Sequence, residues 1–298
     1  MKSIRGVAWL MAASLLSSTP TLAQKAPPKG RTRQIFVRVV DRAGSPVLDL
    51  QPGDFDVKEG GVNRAVARAR LATSPMRVAV LVDTSDAASA SLNPIRAALQ
   101  QFFDALPPEH EAMLISTGRQ LRVRAQPTLE RKKLKDAAAA LFPDGGGATL
   151  MDSLLETDDR FMRKTEDRWP VFVILTTDAT ETSAGARENE FNRWLQSIGA
   201  RGITAHAILL KGGRGNGLTE ILAMNVTENS GGRYAALNTP TALPEKMKAL
   251  AVALGEDHKA ARTRYQIEFA TDAAGDPAVD VGVARENVSL TITLTRLR

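Results

Sequence analysis

Residues 76–87 read Met-Arg-Val-Ala-Val-Leu-Val-Asp-Thr-Ser-Asp-Ala: a run of seven, apolar except at Arg77, then two carboxylates and two hydroxyls. An apolar run of this length without alternation describes a strand buried on both faces. Its polar end lies where an open α/β sheet places its ligands. The device recurs at 112–116, 171–175 and 203–210, with shorter strand-like pieces at 121–125 and 233–236. Amphipathic helices separate these runs. Leu92, Ile95, Leu99, Phe102, Phe103 and Leu106 share one stripe, and Phe191, Trp194, Leu195 and Ile198 share another, with Gly199 and Gly202 as terminators. Further helices are expected around 129–141, 150–162, 218–229 and 243–254. The alternation predicts a doubly wound, mostly parallel α/β sheet over residues 75–257.

The flanks have a different rhythm. Ile35, Val37 and Val39 alternate with polar residues, 54–58 reads as a second extended piece, and Gly60-Gly61 suits the positive φ angles of a tight hairpin. At the other end Tyr265, Ile267, Phe269 and then Val288, Leu290, Ile292, Leu294 alternate in the same way. Neither flank can bury both faces alone, so segments 24–74 and 258–298 are expected to pair into one accessory β unit.

The first 23 residues carry Lys2 and Arg5, an apolar run at 7–16, and the small residue Ala23 after Thr21-Leu22. That order describes a secretory signal peptide cut between Ala23 and Gln24. The run is about half of the roughly 20 apolar residues that a spanning helix needs. The expectation is an exported protein, periplasmic or extracellular. Composition narrows the chemistry further. With no cysteine among 298 residues there is no disulfide, thiolate nucleophile or cysteine-ligated metal. The three histidines, His110, His206 and His258, are scattered and suggest no zinc site. Residues 1–23 hold two of the 39 basic residues and no acidic one, so the formal charge of +6 becomes +4 without them. The basic runs at 29–42 and 131–135 lack interleaved aromatics, which argues for solvated faces and against nucleic acid.

Three loops at the strand ends carry oxygen donors. Asp83 and Ser85 follow the first central strand, Gly145-Gly146-Gly147-Ala148-Thr149 leads into a helix, and Thr177-Asp178 follows the strand at 171–175. Oxygen ligands without imidazole or thiolate suit a hard divalent cation and not zinc or copper.

The order Asp-x-Ser, then Gly-Gly-x-x-Thr, then an apolar strand ending in Thr-Asp resembles the von Willebrand factor A domain and its metal-ion-dependent adhesion site. The leader at 40–60, which includes Val40-Asp41-Arg42-Ala43-Gly44 and Asp54-Phe55-Asp56-Val57-Lys58, is similar to that of the VWFA-related family of exported bacterial proteins. The resemblance implies a six-stranded sheet flanked by helices and a protein-binding role rather than catalysis. It assigns Asp83, Ser85, Thr149 and Asp178 to a site for Mg²⁺ or Mn²⁺, with a carboxylate of a partner protein completing the coordination. The third member of the Asp-x-Ser-x-Ser loop is replaced by Ala87, and Ala179 stands where glycine is usual. Losing one polar ligand weakens such a site by about 1–2 kcal/mol, roughly tenfold. Partner choice would come from the loops at 116–119, 180–183 and 211–217, in particular Thr117, Gly118, Thr180 and Glu181.

Two other readings compete. The same fold with a degenerate site would be a metal-free structural or assembly protein of the cell envelope, with Thr149 serving as a helix N-cap. An enzyme is the weaker alternative. The glycine-rich stretch at 211–217 has neither the dinucleotide nor the P-loop register, and no histidine is placed to serve Ser85 as a base. Asp83 and Asp178 as a glycosidase pair fit their flanking hydroxyls less well than cation ligation does. Asp158-Asp159 interrupts an apolar stripe and is expected to face solvent.

Overall fold

The computed structural model describes residues 31–163, 167–183, 187–199, 201–212, 217–275 and 277–293. The expected signal peptide lies outside them, as do residues 213–216 of the glycine-rich loop.

In chain order, β1 (Arg31–Asp41), β2 (Phe55–Glu59), β3 (Val62–Arg64) and β4 (Val66–Leu71) come first. The central part follows as β5 (Met76–Val82), α1 (Leu92–Ala105), β6 (Glu111–Thr117), β7 (Leu121–Thr128), α2 (Arg131–Ala139), α3 (Leu150–Thr157) and β8 (Trp169–Thr177). It continues as α4 (Glu188–Ile198), β9 (Thr204–Leu210), α5 (Leu218–Ser230), β10 (Tyr234–Leu237) and α6 (Leu243–Ala261), and the chain closes with β11 (Arg264–Thr271), β12 (Val279–Val283) and β13 (Val288–Thr293).

The central sheet has six strands in the order β10-β9-β8-β5-β6-β7. Its pairs are parallel except β6 with β7. Every residue of β8 and β9 is buried, which is why these strands read as unbroken apolar runs. Side chains alternate between two cores. Val78, Val80 and Val82 of β5 meet Ile95, Leu99 and Phe102 of α1, Leu134 of α2 and Leu254 of α6. Ala79 and Leu81 meet the other layer: Leu154 of α3, Phe191 and Trp194 of α4, and Ala223 of α5. The doubly wound architecture and its helical stripes are therefore as expected. Helix α6 runs past the expected boundary at 257 and ends at Ala261.

The terminal strands form a separate antiparallel sheet, β13-β1-β11-β4, with β12-β2-β3 packed beside it. Ile35, Val37, Val39, Phe55, Val57, Tyr265, Ile267 and Phe269 make its core, so the two ends do pair. Gly60 and Gly61 take φ of 56° and 81° in the β2–β3 turn. Phe36, on the opposite face of β1, enters the core of the central domain.

One expectation is corrected. Asp158 does not face solvent; its side chain is fully buried in a wide π-helical turn after α3. Arg201 donates to both of its oxygens at 2.7 Å and Arg163 donates at 3.2 Å. A carboxylate survives burial when a guanidinium fork satisfies it. Asp159, by contrast, is exposed as expected. Among the described residues, no helix is long and apolar enough to cross a membrane.

Candidate metal and partner site

Because Val82 is registered with both Leu175 and Ser116, the loops after β5, β8 and β6 emerge side by side. Asp83 is 1% exposed. Its Oδ1 accepts the Ser85 amide at 2.7 Å, and its Oδ2 accepts the Thr177 amide at 3.3 Å and the Thr177 hydroxyl. No basic side chain touches it among the described residues. Burial raises its pKa above the usual carboxylate value, and the hydrogen bonds from Thr177 and Ser85 oppose the shift without cancelling it. Ser85 is 0% exposed, and among the described residues its Oγ has no well-aligned hydrogen-bond partner, its near neighbour being the Asp83 carboxylate.

The intervening Thr84 is held from the other side. Its hydroxyl donates to Asp144 at 2.7 Å, as do the Ser116 hydroxyl at 2.9 Å and the Arg124 guanidinium at 2.6 and 2.7 Å. Burial would raise the Asp144 pKa, but these donors outweigh it and hold the carboxyl below its ordinary value. Two residues on, Asp86 donates its amide to the Gly146 carbonyl at 3.0 Å and accepts the Gly146 amide on its side chain at 3.0 Å, which fastens the β5 loop to the glycine loop.

Thr149 precedes α3 and is buried; its hydroxyl donates to the Gly118 carbonyl at 2.9 Å. Asp178 turns toward β9, where its Oδ1 accepts the Gly212 amide at 2.9 Å. Ala87 is exposed. The structure thus brings Asp83 and Ser85 together with Thr177, places Thr149 on the β6 side, and aims one Asp178 oxygen toward the neighbouring strand.

The residues expected to meet a partner divide. Thr117 is 2% exposed, with its hydroxyl toward the Val82 carbonyl at 3.4 Å. Gly118 is buried, and a Cβ there would lie 2.9 Å from Asp144 Cβ and 3.1 Å from Thr84 Oγ1. Both are scaffold and not rim. Thr180 is exposed, with its carbonyl accepting the Ala148 amide. Glu181 is half-buried and accepts the Leu150 amide at the start of α3 and the Ser183 amide, each at 3.0 Å. Its pKa is raised by burial, which those hydrogen bonds only partly offset.

The sequence reading missed Asp144 and Arg124, and it placed Thr177 at the strand end without pairing it with Asp83. Asp144 directly precedes the glycine run, and Arg122 and Arg124 alternate along β7, but their joint use depends on a register that no local pattern encodes.

The donor set fits a hard divalent cation. Among the described residues, Ser85 offers a buried oxygen without a well-aligned partner, Asp83 a buried carboxylate without a counter-charge, and Thr149 a hydroxyl whose proton goes to a carbonyl, leaving lone pairs.

The reading of the histidines as scattered is corrected in part. His206 is alone and buried in β9, accepting the Arg233 amide on Nδ1. His110 and His258, however, meet with ring centroids 4.5 Å apart, beside Glu109. They lie at the opposite end of β5, where His110 Nδ1 accepts the Met76 amide at 3.2 Å. None of the three can serve Ser85 as a base.

No protein-family model matches the sequence, and no curated protein matches it. Among solved structures, the chain is similar to a von Willebrand factor type A protein from Catenulispora acidiphila: 14% identity, TM-score 0.52, 76% of this chain and 51% of that one covered. It therefore spans about half the length of that protein. Similarity extends to BatB, a conserved hypothetical protein from Bacteroides thetaiotaomicron, at 14% identity and TM-score 0.48, over 61% of this chain and 98% of that one. A third is the von Willebrand domain of the type V pili tip protein Mfa5 from Porphyromonas gingivalis, at 12% identity and TM-score 0.47, over 62% of this chain and 96% of that one. At such identities the likeness is one of fold, and with the six-stranded sheet described above it identifies the central part of this chain as a von Willebrand factor A-like domain.

Proposed function

We propose that this chain is an exported protein-binding module whose contact edge is the carboxyl end of the central sheet, with Mg²⁺ or Mn²⁺ as an aid to binding. The domain at 75–257 would carry the edge, and the terminal strands would support it. The observation that carries the metal is the pairing, among the described residues, of a buried Asp83 that meets no cation with a buried Ser85 hydroxyl that has no well-aligned hydrogen-bond partner and lies beside it. Asp83 and Ser85 would hold the ion, with Thr149 and Asp178 completing the set directly or through water. A bound divalent ion supplies positive charge at a desolvated edge, which favours a carboxylate from a partner. Thr180 would contribute to partner choice from its exposed loop. A non-enzymatic role is consistent with the edge, which has no histidine among the described residues.

Calorimetric titration of the full chain with Mg²⁺ and with Mn²⁺ tests the reading. Heat of binding is expected from the native sequence and not from Asp83→Ala or Ser85→Ala. No heat from the native protein would remove the metal.

The metal-free alternative is favoured by three observations: Ala87 in the third ligand position, the Thr149 hydroxyl bonded to Gly118, and Asp178 bonded to Gly212. Affinity capture from the envelope fraction separates the two, since capture that is equally efficient with a chelator supports a structural or assembly role without metal.

A further inference from the structure

At the end of β5 remote from the candidate site, two buried imidazoles hold three elements together. His110 is 0% exposed and takes the amide of Met76, the first residue of β5. His258, near the end of α6, is also buried, and its Nε2 donates to the Ser74 carbonyl at 3.0 Å. The rings stand edge to face at 84°, and Trp169 packs against His258 at 5.2 Å. One turn earlier, Gly255 lets α6 close on the loop before β6, where a Cβ would lie 2.8 Å from Pro107 Cγ. The last turns of α6 are thereby pinned to residues 74–76 and 107–110.

Hydrogen bonding fixes the proton positions. Because His110 Nδ1 accepts an amide, the neutral ring carries its proton on Nε2, a buried N–H without an acceptor. A metal on that nitrogen would displace the proton to Nδ1, where it would face the Met76 N–H. Glu109, His110 and His258 thus lack the lone pair that a metal centre requires of His110.

We propose that His110 and His258 form a proton-sensitive latch, which holds α6 against the start of β5 while both rings are neutral and releases it when acid charges them. Two imidazolium rings at this separation repel. The surroundings add to the repulsion. Arg131 of α2 donates to the Pro107 and His110 carbonyls at 2.8 Å, and Arg168 and Arg262 approach from the segments flanking β8 and α6. Two carboxylates face these cations: Glu109, half-exposed, 3.9 Å from His110 Nε2 and shared with Lys259, and Glu111, which pairs with Arg168 at 3.5 Å but is already engaged by Arg77 at 2.6 Å. Burial, then the neighbouring His258, pushes the His110 pKa down to about 4, and burial lowers that of His258. Both lie below the value of about 6.5 that a free imidazole has. The folded form therefore resists protonation, and its stability falls as pH drops from about 6.5 toward 4. Release would free the helix that leads into β11 and slacken the strand whose far end carries Asp83 and Ser85.

Amide hydrogen exchange on the full chain tests the latch, with rates corrected for the intrinsic effect of pH. Between pH 7.5 and 4.5, protection of residues 72–76 and 250–261 should fall by about tenfold or more relative to β8 and β9. In His110→Asn with His258→Gln, the Asn carbonyl replaces the acceptor for Met76 and the Gln amide replaces the donor to Ser74, without a titrating ring. This double variant should keep its protection at both pH values. Unchanged protection of the native protein at pH 4.5, or equal loosening in the double variant, would overturn the proposal. Should the variant fail to fold, an NMR titration of the native imidazoles decides: His110 is expected to titrate at about 4 and His258 below the free-imidazole value, and a free-imidazole value for either ring defeats the latch. Protection of the same segments by added zinc chloride also defeats it, because it would show a metal centre in place of a neutral pair.

Discussion

The Asp144 carboxylate accepts the Thr84 hydroxyl at 2.7 Å, and through it fixes the residue between the two best candidate ligands, Asp83 and Ser85. One side of the β5 loop is thus tied to β8 by Thr177 and the other to the glycine loop by Asp144.

Replacing Asp144 with Ala leaves Arg124, Thr84 and Ser116 without their shared acceptor. Breaking a buried charge pair from one side is strongly unfavourable, and about 2–4 kcal/mol of stability is expected to go. Urea unfolding at pH 7 measures it. The native Asp144 pKa is lowered, so its contribution is present above the unfolded value and disappears in acid. The gap between native protein and variant should therefore narrow as pH falls through and below 3.8.

Divalent metal should stabilise the protein by mass action. At a Mg²⁺ concentration ten times the dissociation constant, the gain is about 1.4 kcal/mol, readable as a rise in Tm. Since burial raises the Asp83 pKa, protons compete with the ion, and the gain should shrink as pH is lowered from 7. A Mg²⁺ effect of equal size in Ser85→Ala would place the ion elsewhere.

Gly147→Ala should be severely destabilising. A Cβ there would overlap Thr182 Cγ2 and lie 2.5 Å from the Thr180 carbonyl oxygen. The clash falls on the bridge between Ala148 and Glu181, so the loop must move or the bridge must open. A loss of about 2 kcal/mol or more is expected in thermal or urea unfolding, as for other strained or overpacked sites. Gly53→Ala, where a Cβ meets nothing within 4 Å, is the matched control.

Asp158→Ala removes the acceptor of the Arg201 fork and is expected to lose about 2–3 kcal/mol in the same measurement. Asp159→Ala, at an exposed position of the same turn, should stay within about 0.5 kcal/mol of the native protein.

The central sheet was legible because burial on both faces leaves a plain mark: β5 runs over the same residues, Met76–Val82, that its apolar run picks out. β3, β4 and β12 left fainter ones. In β4, Ala69 and Leu71 alternate with Arg68 and Arg70, and in β12 Val279, Val281 and Val283 alternate with Asp280 and Gly282, but these short, half-buried faces only rest against the terminal core. At the candidate site, the oxygen-bearing residues were readable from their place after each strand. Their orientations were not, because Asp178 is directed by an amide 34 residues away and Thr84 by a carboxylate 60 residues away. The burial of Asp158 was invisible for the same reason, since Arg201 stands 43 residues further along. The meeting of His110 with His258 depends on a helix that closes over the sheet at 148 residues' remove.

Phe36 comes from a terminal strand yet is embedded in the core of the central domain. A fragment starting at residue 75 would open a void where that ring sits and would expose the apolar surface around it. Among the described strands, β1 also finds its partners in β11 and β13, more than two hundred residues later. During synthesis β1 must wait for these distant strands, so the accessory sheet closes only after β11 and β13 have emerged.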